Sequence, residues 1–269
     1  MKTGAGTTSV LTPEWPAPEG VRAAFTLRTG GVSAPPFDSL NVGAHVGDSP
    51  EAVRENRRRV VAALGLPEEP DWIEQVHGTR VLDPDAGGQD QGPADALIAR
   101  RPGRVAVIQV ADCLPVLFAA EGAAAVACAH AGWRGLASGV LEASVRALGV
   151  DPGALVAWLG PCIGREHFEV GAEVREAFLR SDPDAAFAFT ANTRGRWQCD
   201  LVALARARLA RLNVTRVYGG AWCTYADPRR FFSYRRDGRC GRMAALIWRD
   251  PPGAPGARAT MTAKSPARS

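Results

Sequence analysis

The chain has 269 residues, 46% hydrophobic and 22% charged, with a formal net charge of +4. That is the balance of a soluble globular protein able to bury a real core; no apolar run approaches the roughly 18–20 residues that would cross a bilayer, and no basic cluster with interleaved aromatics supports a nucleic-acid face. The only lysines are Lys2 and Lys264, which excludes a Schiff-base, P-loop or kinase-type lysine from the body and leaves phosphate or carboxylate binding to arginine, backbone N–H groups or a metal.

Residues 1–20 and 250–269 are rich in Pro, Gly, Ala, Ser and Thr and read as flexible tails around one domain over 21–249. The N-terminus carries one lysine and no apolar stretch, so it does not read as a secretory signal, and the expected compartment is the cytoplasm. Residues 21–28 read as a strand entering the turn at Gly30 and Gly31. A helix is predicted over 50–64, with Ser49 as N-cap and Gly65 as its stop. Strands follow over 71–77, 104–110, 115–120 and 124–130, the last two joined by the Glu121-Gly122 turn. A helix over 136–148 carries Leu136, Val140, Leu141, Val145 and Leu148 on one face. Beyond it come a strand over 155–159, helices over 171–179 and 201–212, and strands over 214–221 and 243–248. Helices and strands alternate, with hairpin-like pairs among them, so the expected fold is an α/β sandwich with mixed sheets.

Six cysteines without any CxxC pair argue for free thiols, ligands or nucleophiles in a reducing compartment rather than a disulfide framework or a four-cysteine zinc site. There are four histidines. His77, in Gln75-Val76-His77-Gly78, and His130, in Ala129-His130-Ala131-Gly132, both fall where a predicted strand meets a loop. Cys113, in Ala111-Asp112-Cys113-Leu114-Pro115, does the same, and Pro115 interrupts the ladder after it. Imidazole and thiolate together suit zinc, and three protein ligands leave a fourth position open, the pattern of a catalytic rather than a structural site. Residue types alone leave another reading open: histidines that only hydrogen-bond at strand ends, and a cysteine that packs as a small hydrophobe.

Longer segments carry a resemblance. TLRTGGVSAPPFDSLNVGAHVGD, EQVHG at 74–78, ADAL at 94–97, VADCLPVLFA at 110–119 and AHAGWRGL at 129–136 occur in one order. LGPCIG at 159–164, FEVG at 168–171, CTY at 223–225 and FFSYRRDGRCGRMAALIW at 231–248 complete the set. The chain closely resembles the YfiH-type laccase-domain family, also known as polyphenol oxidases and purine nucleoside phosphorylases. The resemblance implies a single α/β/β/α domain with zinc held by His77, Cys113 and His130. It also implies phosphorolysis of adenosine, inosine and methylthioadenosine to the base and ribose 1-phosphate or methylthioribose 1-phosphate, with some adenosine deamination. The partners expected are purine nucleosides and phosphate, with no nucleic acid and no membrane, in a monomer or homodimer.

Such chemistry asks for further groups. Asp112 is a candidate general acid/base, or else a residue that orients a ligand. Arg28, Arg235 and Arg236 are candidates for the phosphate because arginine grips phosphate bidentately. Asn41 and His45 are candidate substrate contacts, and Trp133 could stack on a purine. Cys128, His167, Cys199, Cys223 and Cys240 receive no role. Two other readings use the same residues: a metal-free hydrolase or amidase of peptidoglycan editing, with Cys113 as nucleophile and His130 as base, and a copper polyphenol oxidase. Four histidines are too few for multicopper centres, although Cu2+ could displace zinc in one site. A binding module with a structural metal would need a fourth ligand.

Overall fold

A computed structural model describes residues 8–87, 92–122 and 125–253. Two mixed sheets lie face to face. The first is five-stranded, in the order Val10–Leu11, Val21–Thr26, Met243–Arg249, Val105–Val110 and Asp71–Trp72. The second is six-stranded, in the order Arg216–Gly219, Leu155–Leu159, Leu114–Ala120, Val126–Ala131, Ala96–Ala99 and Val81–Leu82. A small three-stranded sheet of Glu169–Val170, Trp197–Cys199 and Phe189–Ala191 stands beside them.

Three apolar clusters account for the layering. Between the sheets lie Phe25, Ile108, Leu117, Cys128, Trp158 and Phe231. Outside the first sheet, helix Pro50–Leu64 covers Val105, Val107, Leu246 and Trp248. Outside the second, helices Val140–Leu148 and Leu201–Arg211 cover Val116, Phe118, Ala127 and Ala129. The strand alternation is visible in the split itself: Val116 and Phe118 face the helices while Leu117 and Ala119 face the other sheet. The architecture is therefore the expected α/β sandwich, a single domain with mixed sheets. Among the described residues no helix is long and apolar enough to cross a membrane.

Several elements differ from the sequence reading. The helix expected over 136–148 is two helices, Trp133–Ser138 and Val140–Leu148, because Gly139 adopts φ +101° between them. Its N–H bonds to the carbonyls of Gly135 and Leu136, which closes the first helix. The strand expected over 71–77 shortens to Asp71–Trp72; beyond it the chain leaves the sheet to present His77. Within the stretch read as an N-terminal tail, Val10–Leu11 pairs with Val21–Thr26, so ordered chain begins before Val21. On the other side, Asp250 is anchored by its N–H to Gly20 O and by an ion pair with Arg22; residues 254–269 lie outside the described residues. Helix Pro50–Leu64 has the predicted bounds, with Ser49 accepting from Ala52 N and Gly65 left-handed at its end.

Candidate metal centre

Cys113 sits at a change of sheet. Val110 ends a strand of the first sheet and Leu114 begins a strand of the second. The link between them passes through Asp112 at φ +88°, a left-handed conformation that an L residue adopts only when held there. The hold is visible. The Asp112 carboxylate accepts from Thr224 Oγ1 at 2.6 Å, Ser233 Oγ at 3.0 Å and Arg235 N at 2.7 Å.

His77 is left-handed too, at φ +60°. Here the clamp is Asp95, whose carboxylate accepts from the backbone N–H groups of Val76, His77 and Gly78 at 3.1, 2.9 and 2.6 Å. One residue earlier, Gln75 fastens the loop to the first sheet, its amide donating to Gln109 O at 2.9 Å and accepting from Gln109 N at 2.7 Å.

His130 ends a strand of the second sheet and is buried. Its Nδ1 lies 2.7 Å from Asp95 Oδ1. An ionised carboxylate only accepts, so Nδ1 carries a proton, and once Nε2 gives up its own the lone pair there is free for a ligand. One buried aspartate thus sets both histidines. Burial by itself would push the Asp95 carboxyl up, but the hydrogen bonds from His130 and the backbone N–H groups bring it below the usual range.

The donor atoms of His77, Cys113 and His130 all lie within 4.8 Å of one another. Cys113 Sγ is 3.8 Å from His77 Nε2, and the two imidazoles meet edge to face with centroids 4.8 Å apart. Ligands of one tetrahedral zinc stand roughly 3.5 Å apart, given Zn–S near 2.3 Å and Zn–N near 2.0 Å, so a contraction of about an ångström closes the set around an ion. Gly132 leaves the room: a Cβ there would stand 2.9 Å from His77 Cδ2 and 3.0 Å from Cys113 Sγ. Electrostatics agree. Burial would raise the Cys113 thiol, but the charge of His130 and hydrogen bonds from both histidines outweigh it and hold it at about 6. His130 moves oppositely, lowered by burial but raised more by Cys113 and Asp95. The sulfur is therefore poised as a thiolate, the form that binds metals and attacks electrophiles. The cluster can bind a metal.

The cluster opens into a cavity of about 540 Å³. Of the residues that the sequence singled out, His45, Asp112, Arg235 and Trp133 line it. His45 is held below its ordinary value by burial and by the charges of Arg242 and Arg57. Three other candidates are used elsewhere. Arg28 binds Asp38 and the Pro228 carbonyl and lies over Phe232. Asn41 is buried, bonded to Gly43, Asp48 and Arg242 N, so it shapes the turn behind the cavity. Arg236 caps the carbonyls of Thr224, Tyr225 and Phe231. The charges that do face the cavity include Arg134 and Arg242, which sequence reasoning passed over; the neutral Gln75, Gln109 and Tyr234 line it as well. Asp95 was missed as well; its one signal was a carboxylate set in the apolar run Ala94-Asp95-Ala96-Leu97.

Comparison with known proteins shows the family. The family model described as multi-copper polyphenol oxidoreductase laccase matches residues 22–250. A purine nucleoside phosphorylase of Pseudomonas aeruginosa is 52% identical over 239 residues, covering 88% of this chain and 97% of that protein. Purine nucleoside phosphorylase YfiH of Escherichia coli is 50% identical over 239 residues, covering 89% and 98%. Among solved structures, Neisseria meningitidis protein NMB0706 superposes with a TM-score of 0.86 at 47% identity, over 90% of this chain and 99% of that one. YlmD from Geobacillus stearothermophilus gives 0.81 at 33% identity, over 88% and 94%. With the match spanning both sheets and all three donor residues, this chain belongs to the multi-copper polyphenol oxidoreductase laccase family, and it is homologous to proteins named purine nucleoside phosphorylases.

Proposed function

We infer that this protein is a zinc-dependent purine nucleoside phosphorylase. Its substrates would be adenosine, inosine and methylthioadenosine, with adenosine deamination as a second activity. The observation that carries the reading is the His77, Cys113 and His130 cluster opening into a cavity that also presents Arg134, Arg235 and Arg242. The names of the relatives supply the substrate class. Zinc, when bound by the three residues, supplies Lewis acidity at neutral pH.

The chain's own residues divide the remaining work. Arg235, with one guanidinium nitrogen fixed on Glu169 O at 2.7 Å, keeps others for an anion. Arg242 and Arg134 add positive charge around the same space, so phosphate binds without a lysine. His45, its imidazole held below the ordinary value by partial desolvation and by the charge of Arg242, can donate to or accept from a ribose hydroxyl. Trp133, Phe168 and Tyr234 offer apolar faces to a purine. Asp112 already receives three hydrogen bonds, which favours an orienting role for it over that of a general acid/base.

A second reading has an observation of its own. The lowered Cys113 thiol beside His130 is also the arrangement of a cysteine hydrolase or amidase. His77 separates the two, being required for a metal and dispensable for a dyad. Copper is a third occupant compatible with the same donors, and the family description mentions it.

The deciding experiment incubates zinc-loaded protein with adenosine, with and without phosphate. Adenine plus ribose 1-phosphate, only with phosphate, is expected for phosphorolysis, and inosine for deamination. Neither product from protein of verified zinc content would overturn the substrate assignment. Full activity in metal-free protein or in His77→Ala would overturn the metal.

A further inference from the structure

The metal centre leaves a second cysteine–histidine pair unused. Cys223 and Cys162 face each other in an isolated parallel bridge. Neither belongs to the metal-binding cluster. Cys223 is half-buried, with its Sγ 3.5 Å from His167 Nδ1. The Gly164 N–H donates to the same sulfur at 3.1 Å. His167 is fixed by stacking on Tyr225, with centroids 4.5 Å apart and planes 20° from parallel. The close approach depends on Gly164, because a Cβ there would lie 3.1 Å from Cys223 Sγ. The imidazole is placed to take the thiol's proton as the sulfur attacks, and the Gly164 N–H to donate to the charge that develops there; the thiolate so formed is the species that peroxide oxidises.

Cys162 supplies a second sulfur. Cys162 N donates to Trp222 O at 3.3 Å and Thr224 N to Cys162 O at 2.9 Å, which sets the two cysteines directly opposite. Facing residues of paired strands have Cα atoms about 4.8 Å apart, inside the range a disulfide spans. Cys162 is buried, and burial followed by the nearness of Cys223 pushes its thiol up, so the first attack falls to Cys223. Its sulfur lies 3.6 Å from the Ile163 carbonyl and has to leave that contact for the bond to close.

We propose that Cys223 and Cys162 form a peroxide-sensitive dithiol, with Cys223 as the attacking sulfur and His167 as the group that keeps it nucleophilic. The Cys223 thiol passes its proton to His167, and the thiolate attacks one oxygen of hydrogen peroxide. The O–O bond breaks, that oxygen stays on sulfur as sulfenic acid, and the other leaves as water with the proton returned by His167. The Cys162 thiol then displaces the sulfenic hydroxyl, so an S–S bond forms and a second water departs. Two thiols lose two electrons and one peroxide becomes two waters. The joined segments also hold the residue beside Cys113, through Ile163 N to Asp112 O at 2.9 Å and Thr224 Oγ1 to Asp112 Oδ1 at 2.6 Å. The bond would therefore form directly behind the cavity wall.

The test treats the full-length protein with a small excess of hydrogen peroxide, blocks the remaining thiols in denaturant and maps the digest by mass spectrometry. A reducible peptide pair linking Cys162 to Cys223 is expected, with Cys223 consumed about tenfold or more faster than Cys128, Cys199 and Cys240. Cys162→Ser should stop at sulfenic acid on Cys223, trapped by dimedone. His167→Asn should slow Cys223 oxidation about tenfold, with imidazole added to the solution restoring part of the rate. Cys223 consumed no faster than Cys128, sulfenic acid on the wild-type residue with no linked pair, or a His167→Asn rate equal to wild type would each overturn the proposal.

Discussion

Asp95 divides one carboxylate between His130 Nδ1 and three backbone N–H groups of the His77 loop. Asp95→Asn keeps the shape but turns one acceptor into a donor, so His130 loses its fixed tautomer. Zinc affinity is expected to fall about 10- to 100-fold in a competition titration while the fold survives. Asp95→Ala should also destabilise the fold, because the part-buried N–H groups of Val76, His77 and Gly78 lose their acceptor, at about 0.5–1.5 kcal/mol for each hydrogen bond; equal zinc affinity in both variants and wild type would contradict this role. Gly132→Ala tests the room around the donors. With a Cβ at 2.9 Å and 3.0 Å from two of them, it should lose zinc binding, and a chemical melt in the absence of metal should change little. These two residues mark where sequence reading stopped. The scarcity of histidine and the strand-end settings pointed to His77, Cys113 and His130, but an aspartate just before the strand Ala96–Ala99 does not say which groups it will touch. Two of the three arginine candidates lie outside the cavity lining: Arg28 and Arg236 sit beside turns whose carbonyls they satisfy, partners that residue type alone does not announce.

The elements with strong local signals were legible. Helix Pro50–Leu64 has its cap, its proline start and its glycine stop in the sequence, and all three act as expected. Gly139 was visible too, but an unbroken apolar stripe on both sides hid the interruption. The pair Val81–Leu82 and Ala96–Ala99 escaped notice because short edge pairings depend on their neighbours in the sheet. The loop between them has its own charge device. Burial would raise the Asp85 carboxyl, but the N–H groups of Arg101 and Arg100, with the charge of Arg104, hold it below its ordinary value. A carboxyl depressed in the fold adds stability above its unfolded value, near pH 4, and that stability disappears as pH falls through the folded value. Asp85→Asn should therefore narrow the gap in urea midpoint between pH 7 and pH 3, chiefly by lowering the midpoint at pH 7. An unchanged gap would show that the anchored carboxylate contributes nothing.

At the scale of the molecule, the donors come from both sheets. His77 hangs from a loop fastened to the first, His130 ends a strand of the second, and Cys113 stands in the link from one to the other. A metal there would tie the two layers together. Zinc at about 100 times its dissociation constant should raise stability by about 2.7 kcal/mol, seen as a higher Tm that a chelator reverses; a Tm indifferent to both would argue against a bound metal. The sandwich class was readable from the interleaving of helices and hairpin-like strand pairs, and its layering from the family resemblance, whereas which strands neighbour one another was not, because pairing is decided by chain segments far apart in sequence. That distance gives the 111–113 link a meaning in time. The three donors cannot meet until both sheets have formed and docked, and such long-range contacts close late in folding. In cobalt-loaded refolding, the thiolate–metal absorption band should grow with the slowest phase, making the centre a clock for the final docking of the two sheets.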